Sequence, residues 1–137
     1  MVIIDTSVLI DYFANRQTPH TDWMDQQVFL QRLGITNLIQ MEILQGVRDD
    51  KLFAETKVAL NAFIVYETGS SELAIAASQN FRALRRGGVT IRSSIDCVVA
   101  TFCIQERYEL LHNDRDYDAF EKHLGLRVIH PSKSALH

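Results

Sequence analysis

The sequence predicts an α/β fold, a central parallel sheet of four to five strands sandwiched between helical layers. Three observations carry that expectation. Short β-branched or apolar runs recur along the chain, stretches with apolar residues at helical spacing separate them, and no repeat, low-complexity tract or Pro/Ser-rich linker divides the 137 residues. One domain over residues 1–132 is expected, with 133–137 as a frayed tail.

The chain opens on Val2-Ile3-Ile4, a buried strand that ends at Asp5. Thr6 to Ala14 reads as a short helix with Val8, Leu9, Tyr12 and Phe13 on one side. A second helical stretch covers Thr18 to Gln31, and Leu33 to Thr36 is a brief strand. An Asn37-led helix runs to about Gly46, another spans Asp49 to about Asn61, and Phe63 to Tyr66 is the next strand. Ser70 or Ser71 caps a long helix on which Leu73, Ala77, Phe81 and Leu84 recur, and Gly87-Gly88 ends it. Ser93-Ser94 starts a helix with Ile95, Val98, Val99 and Phe102 as its apolar stripe. Glu109 to His112 is a strand, Arg115 to Leu124 a short helix, and Leu126 to Ile129 a last strand.

At 47% hydrophobic and 23% charged residues the chain has enough apolar surface for a core without a disulfide or structural metal. Cys97 and Cys103 lie six apart in one apolar segment, outside any CxxC or zinc spacing, and read as small buried hydrophobes. That usage suits a reducing cytoplasm. The N-terminus lacks the basic region and cleavage site of a signal peptide, and no apolar run is long enough to span a bilayer, so a cytoplasmic protein with no membrane association is expected. The formal charge of -3 argues at first against a nucleic-acid partner, but setting four gathered carboxylates aside turns it into +1 for the rest. Net charge therefore leaves nucleic acid open.

In parallel α/β folds ligands bind outside the carboxyl ends of the strands. Asp5 follows the first strand, Asp114 follows the Glu109–His112 strand after Asn113, and Asp96 sits in the first turn of the Ser93-Ser94 helix. Glu42 lies mid-helix between Met41 and Ile43-Leu44, an awkward place for a charge if that face packs inward. Each acid taken alone also has a structural reading. Asp5, Asp96 and Asp114 can serve as helix-start residues, and Glu42 can face solvent. The caps do not account for Glu42 joining the set. Gathered carboxylates repel unless a cation neutralises them, and oxygen-only ligands favour Mg2+ or Mn2+ over zinc. His20, His112, His123, His130 and His137 are scattered and form no rival metal motif.

The segments Ile3-Ile4-Asp5-Thr6-Ser7, Met41-Glu42-Ile43-Leu44-Gln45-Gly46, Ile91 to Ala100 and Leu110 to Tyr117 occur in an order and at separations that resemble the PIN-domain nucleases. Within that family the likeness is to the VapC-type toxins of prokaryotic toxin–antitoxin pairs, and it covers essentially the entire chain. The resemblance implies a PIN-like sandwich whose Asp5, Glu42, Asp96 and Asp114 hold one or two Mg2+ or Mn2+ ions. Asp116 is similar to a further acid of the fourth motif, and either Asp114 or Asp116 can be the direct ligand. Ser7 matches a hydroxyl position beside the first Asp, suited to orienting Asp5 or touching a phosphate. The implied reaction is endonucleolytic cleavage of RNA, such as tRNA or rRNA, by metal-activated water, with no Ser or Cys nucleophile.

Arg92 and Arg115 are candidate substrate contacts, joined by Arg82, Arg85 and Arg86, whose alternative role is solvated charge on an amphipathic helix. The resemblance further implies a homodimer and a hetero-oligomer with a VapB-type antitoxin that reaches into the acidic pocket. The apolar stretches Trp23 to Leu30 and Leu52 to Leu60 are candidate docking surfaces. Other readings are a PIN nuclease outside any toxin–antitoxin pair and a receiver- or dehalogenase-like phosphotransfer domain. The latter would want an Asp where Ser7 stands, or a lysine on the Leu110–His112 strand.

Overall fold

The computed structural model describes residues 1–132. Its elements, in chain order, are β1 (Val2–Ile4), α1 (Thr6–Phe13), α2 (Pro19–Gln27), β2 (Gly34–Thr36), α3 (Asn37–Gln45), α4 (Asp50–Ala59), β3 (Ile64–Tyr66), α5 (Ser71–Arg86), α6 (Ser94–Glu106), β4 (Glu109–Leu111), α7 (Asp118–Leu124) and β5 (Arg127–Val128). Single 3-10 turns at Leu60–Ala62 and Arg115–Tyr117 precede β3 and α7. The frayed tail expected over 133–137 lies outside the described residues.

The five strands form one sheet in the order β3-β2-β1-β4-β5, with every pairing parallel. Purely parallel strands need both faces covered, which explains why the middle strands read as unbroken apolar runs. Val2, Ile3 and Ile4 of β1 are all buried, as are Leu110 and Leu111 of β4. Helices α1 to α4 contact one another and follow the β1-β2-β3 direction; α5, α6 and α7 pack together along the β4-β5 direction. The strand order reverses between β1 and β4, so that pair marks the topological switch point of the sheet.

Local capping sets the helix starts. Thr18 and Thr21 form a reciprocal capping box at α2 behind Pro19. The side chains of Thr36, Asp49, Ser70 and Ser93 accept from the backbone at the starts of α3, α4, α5 and α6. Ser70, rather than Ser71, is thus the cap of α5. Helix α6 ends without glycine, on Arg107 in the left-handed region at φ 59°.

Two elements differ from the sequence reading. Helix α2 stops at Gln27 instead of Gln31, because the chain tightens into an i to i+3 bond from Leu30 N–H to the Gln27 carbonyl before Leu33 enters the core. The stretch from Arg115 to Leu124 begins as a 3-10 turn, since the Asp114 carboxylate accepts from Asp116 N–H and its carbonyl from Tyr117 N–H. That tighter turn carries Tyr117 inward, where it is fully buried.

Gly34 sits at a close approach in the sheet. A Cβ there would lie 2.8 Å from Tyr66 Cε2 and 3.0 Å from Ile3 Cδ1. Gly34→Val is expected to destabilise the fold by about 1–3 kcal/mol, read as a lower midpoint in urea unfolding with an unchanged slope.

Candidate active site

Strand β1 and its neighbours place the acids. With Ile4 opposite Leu111, the Asp5 N–H donates to the Leu111 carbonyl at 3.0 Å and brings Asp5 to the carboxyl edge beside the β4 loop. Asp5 then does two jobs at once. Its Oδ2 accepts from the Ser7 N–H at 3.1 Å, capping α1, and from Ser7 Oγ at 2.7 Å. The capping role and a site role coexist because a carboxylate has a second oxygen to spare.

That second oxygen, Oδ1, accepts a 2.7 Å bond from the Tyr117 hydroxyl, which also lies 3.2 Å from Asp96 Oδ1. One phenolic proton cannot serve two carboxylates, so the longer contact is satisfied when Asp96 carries a proton of its own and donates it to the phenolic oxygen. Asp96 is pushed in that direction. Burial first, then the charges of Asp5 and Asp114, raise its carboxyl from 3.8 to about 7, while the Tyr117 bond opposes the rise and Glu42 adds to it. Burial also raises Glu42, against the 2.7 Å bond it accepts from Thr6 Oγ1, and the charges of Asp5 and Asp114 act in the same direction as burial.

Asp5, Glu42, Asp96, Asp114 and Asp116 line a single open depression of about 390 Å³, together with Thr6, Ser7, Ile10 and Ser93. Within it, Asp96, Asp114 and Asp116 each present a carboxylate oxygen inside 4.8 Å of the other two. Asp96 is not spent on capping: Ser93 Oγ accepts from its N–H, leaving the carboxylate turned toward Tyr117. Asp114 is fixed through its backbone, whose N–H donates to His112 Nδ1 at 3.1 Å. Ser7 links the two halves, its Oγ also accepting from Asn113 N–H at 2.9 Å.

Of the candidate cations, Arg92 reaches the edge of the depression, with Nε 3.9 Å from Asp116 Oδ1 and its side chain 85% exposed. At that exposure the pair contributes little to stability and leaves the guanidinium available to a ligand. Arg115 is exposed on the 3-10 turn between Asp114 and Asp116, outside the residues that line the depression. Arg82, Arg85 and Arg86 lie away from the acids on the last turns of α5.

Three participants were not singled out from sequence. Tyr117 and Thr6 hold acids by their hydroxyls, and buried His112 packs against Tyr117 at 4.8 Å between ring centres, the rings tilted by 44°. With Nδ1 accepting, its proton belongs on Nε2, a buried atom without a hydrogen-bond partner among the described residues, and burial holds the ring's pKa down. A tyrosine following Asp116 and a hydroxyl following Asp5 were visible in the sequence; only the geometry ties them to particular carboxylates.

The donor set suits a hard divalent cation. Its ligand atoms are all oxygen, and the one buried acid drawn up to about 7 is held there by desolvation and uncompensated negative neighbours, the situation a cation would relieve.

Comparison with known proteins places this arrangement in context. A family model described as the PIN domain matches residues 2–123. A VapC ribonuclease of Mycobacterium bovis is 30% identical over 132 residues, covering 93% of this chain and 97% of that protein. A ribonuclease VapC of Methanocaldococcus jannaschii is 28% identical over 131 residues, covering 93% and 85% of the two chains. Among solved structures, VapBC2 from Rickettsia felis bound to a promoter DNA fragment aligns with a TM-score of 0.76 at 13% identity, over 94% of this chain and 98% of that one. FitAcB from Neisseria gonorrhoeae aligns at 0.75 and 16% identity, over 96% and 98%. At those identities the structural likeness speaks for the fold.

Asp96 makes the metal-free protein sensitive to pH in a defined direction. The unfolded carboxyl ionises near its ordinary 3.8 and the folded one near 7, so folding retains a proton between those values and stability falls as pH rises through that window. Asp96→Asn should therefore stabilise the metal-free protein by a margin that grows from about pH 4 to about pH 8 and reaches about 1–2 kcal/mol, after allowance for solvent screening. Urea unfolding of both proteins across that range, with chelator present, checks it.

Proposed function

This chain belongs to the PIN-domain family, and we propose that it is a metal-dependent endoribonuclease, the toxin of a toxin–antitoxin pair. The observation that carries the reading is the gathering of Asp96, Asp114 and Asp116 within 4.8 Å, with Asp5 and Glu42 lining the same depression at the switch point of the sheet.

In this reading Asp5, Glu42, Asp96 and Asp114 hold Mg2+ or Mn2+, with Asp116 as a further oxygen donor beside Asp114. A divalent cation bound there supplies Lewis-acid polarisation of the phosphodiester and makes an attacking water more acidic. The chain's own residues do the rest. Tyr117 and Ser7 fix the two oxygens of Asp5, and Thr6 fixes Glu42, so the carboxylates meet a ligand without reorganising. Asp96 must lose the proton that burial and its neighbours favour before it can hold a cation as a full anion, so the apparent affinity for the cation falls on acidification below about 7. Arg92, exposed at the edge of the depression, and Arg115, exposed on the turn beside Asp114 and Asp116, would meet phosphates of the substrate, and Ser7 would orient Asp5 or touch a phosphate.

The relatives' descriptions as ribonucleases support RNA as substrate, and the VapBC complexes among the structural neighbours support an antitoxin partner. A VapB-type antitoxin would find apolar surface at Val28, Phe29 and Leu30 beyond α2 and at Leu52, Phe53 and Val58 on α4, all exposed, with Phe29 at 91%. A groove lined by Tyr12, Phe13, Met24 and Phe63 lies between the two. A homodimer, residues 1–132 as a single domain and a cytoplasmic location complete the proposal; among the described residues no helix is long and apolar enough to cross a membrane.

Purified protein incubated with total RNA should cleave it only with Mg2+ or Mn2+, and a chelator should abolish the products. Asp5→Asn and Asp96→Asn should each lower the rate by about a hundredfold or more. Equal cleavage by the variants, or cleavage indifferent to chelator, would remove the proposal.

A further inference from the structure

A second cavity, of about 460 Å³, runs between α5 and α6 and shares no lining residue with the acidic depression. Its floor is apolar, from Ala74, Ala77, Phe81 and Val98, and its wall carries Arg82 and Arg85. The Arg85 guanidinium lies over the Phe81 ring, 5.5 Å from its centre. Both arginines are exposed, and neither forms an ion pair among the described residues. A solvated face would explain the charges alone. It does not explain an apolar cavity walled by two unpaired arginines, one of them over an aromatic ring.

Position relative to the acids adds to this. Ser93 and Asp96 line the acidic depression, while Ser94, Cys97 and Val98 line the α5–α6 cavity. The two hollows thus lie on neighbouring faces of the same first turns of α6, with Ser93 and Asp96 roughly 120° around the helix from Ser94, Cys97 and Val98. A polymer lying across that turn would meet both.

Building on the nuclease reading, we propose that the α5–α6 cavity is a nucleotide-binding subsite for single-stranded RNA on one side of the cleaved phosphodiester. The chemistry of the wall and floor selects that occupant. Two guanidinium groups complement backbone phosphate, and the Phe81–Arg85 pair with its apolar surround offers a stacking surface for an unpaired base. A duplex would hold its bases stacked away from this floor, so the subsite favours loops and unpaired ends. The acids perform the cleavage; this cavity sets which stretch of strand is held while it happens.

The test uses a short fluorescein-labelled single-stranded RNA and the small diester bis(p-nitrophenyl) phosphate, which is too short to span both hollows. RNA affinity is measured by anisotropy with chelator present, so that binding is read without cleavage, and turnover of both substrates is measured with Mn2+. The double substitution Arg82→Ala/Arg85→Ala should weaken RNA binding about tenfold or more and flatten its salt dependence by about 1.4 log units per log unit of salt, the share of two phosphate contacts. Phe81→Ala should weaken binding about fivefold or more, and Phe81→Leu, which keeps apolar volume in the α5–α6 packing, should reproduce most of that loss. Turnover of the small diester should stay at the wild-type rate in all of them. Unchanged RNA affinity and salt slope in the arginine variant would overturn the subsite. So would a matching loss of small-diester turnover, which would assign the arginines to the acidic site, or retained RNA affinity with lost binding of a partner protein. Failure of the nuclease reading shows separately, as a wild-type protein that cleaves neither substrate.

Discussion

The parallel register of β1 on β4 fixes the carboxyl edge of this molecule. With Val2, Ile3 and Ile4 opposite Glu109, Leu110 and Leu111, the chain leaves both strands at the same level, and Asp5 emerges beside the loop that carries Asp114 and Asp116. A shift of one residue would take the Asp5 N–H away from the Leu111 carbonyl that accepts it, so that bond and the ladder beside it set the level at which Asp5 leaves the sheet. Helix α6 then delivers Asp96 from one side and α3 delivers Glu42 from the other. The acids are neighbours because the paired strands beneath them end at the same edge.

Stability and chemistry pull against each other at that edge. Bringing carboxylates together with Asp5 and Asp96 both buried is unfavourable without a compensating charge, and the raised Asp96 and Glu42 record the penalty. Hydroxyls from Thr6, Ser7 and Tyr117 hold the anions in place without neutralising them. The fully buried Tyr117 hydroxyl, donating to Asp5 and 3.2 Å from Asp96, couples the first and third acids. The site's carboxylates are thereby held in place by hydroxyls, which is the arrangement expected of a centre preorganised for a divalent ion.

Much of this was legible in the residues. Alternation of apolar runs with helical stretches gave the parallel α/β class, and the structural neighbours share that fold. Asp5, Asp96 and Asp114 could be placed at one edge because strand ends and helix starts meet there, and Glu42 stood out as a charge between Met41 and Ile43. What sequence could not provide were contacts made across long separations. Tyr117 reaches Asp5 over 112 positions, and nothing local marks its hydroxyl as different from that of a core tyrosine. His112 reads as one scattered histidine until its ring is found accepting from Asp114 and packed against Tyr117. The cavity between α5 and α6 is equally hidden, since Arg82 and Arg85 look like solvated charge until the floor beneath them is known. Boundaries failed where packing overrode propensity, as at Gln27, where the chain must turn to bury Leu33.

The central claim is that these carboxylates form one cation site in which Asp96, raised to about 7, keeps a proton below that pH until the ion arrives. Calorimetric titration of Mn2+ into the protein, repeated in buffers of different ionisation enthalpy, counts the protons released on binding. Saturable binding should release close to one proton at about pH 6 and almost none at about pH 8.5, and Asp96→Asn should abolish the release. Absence of saturable binding, or binding that releases no proton at the lower pH, would contradict the account.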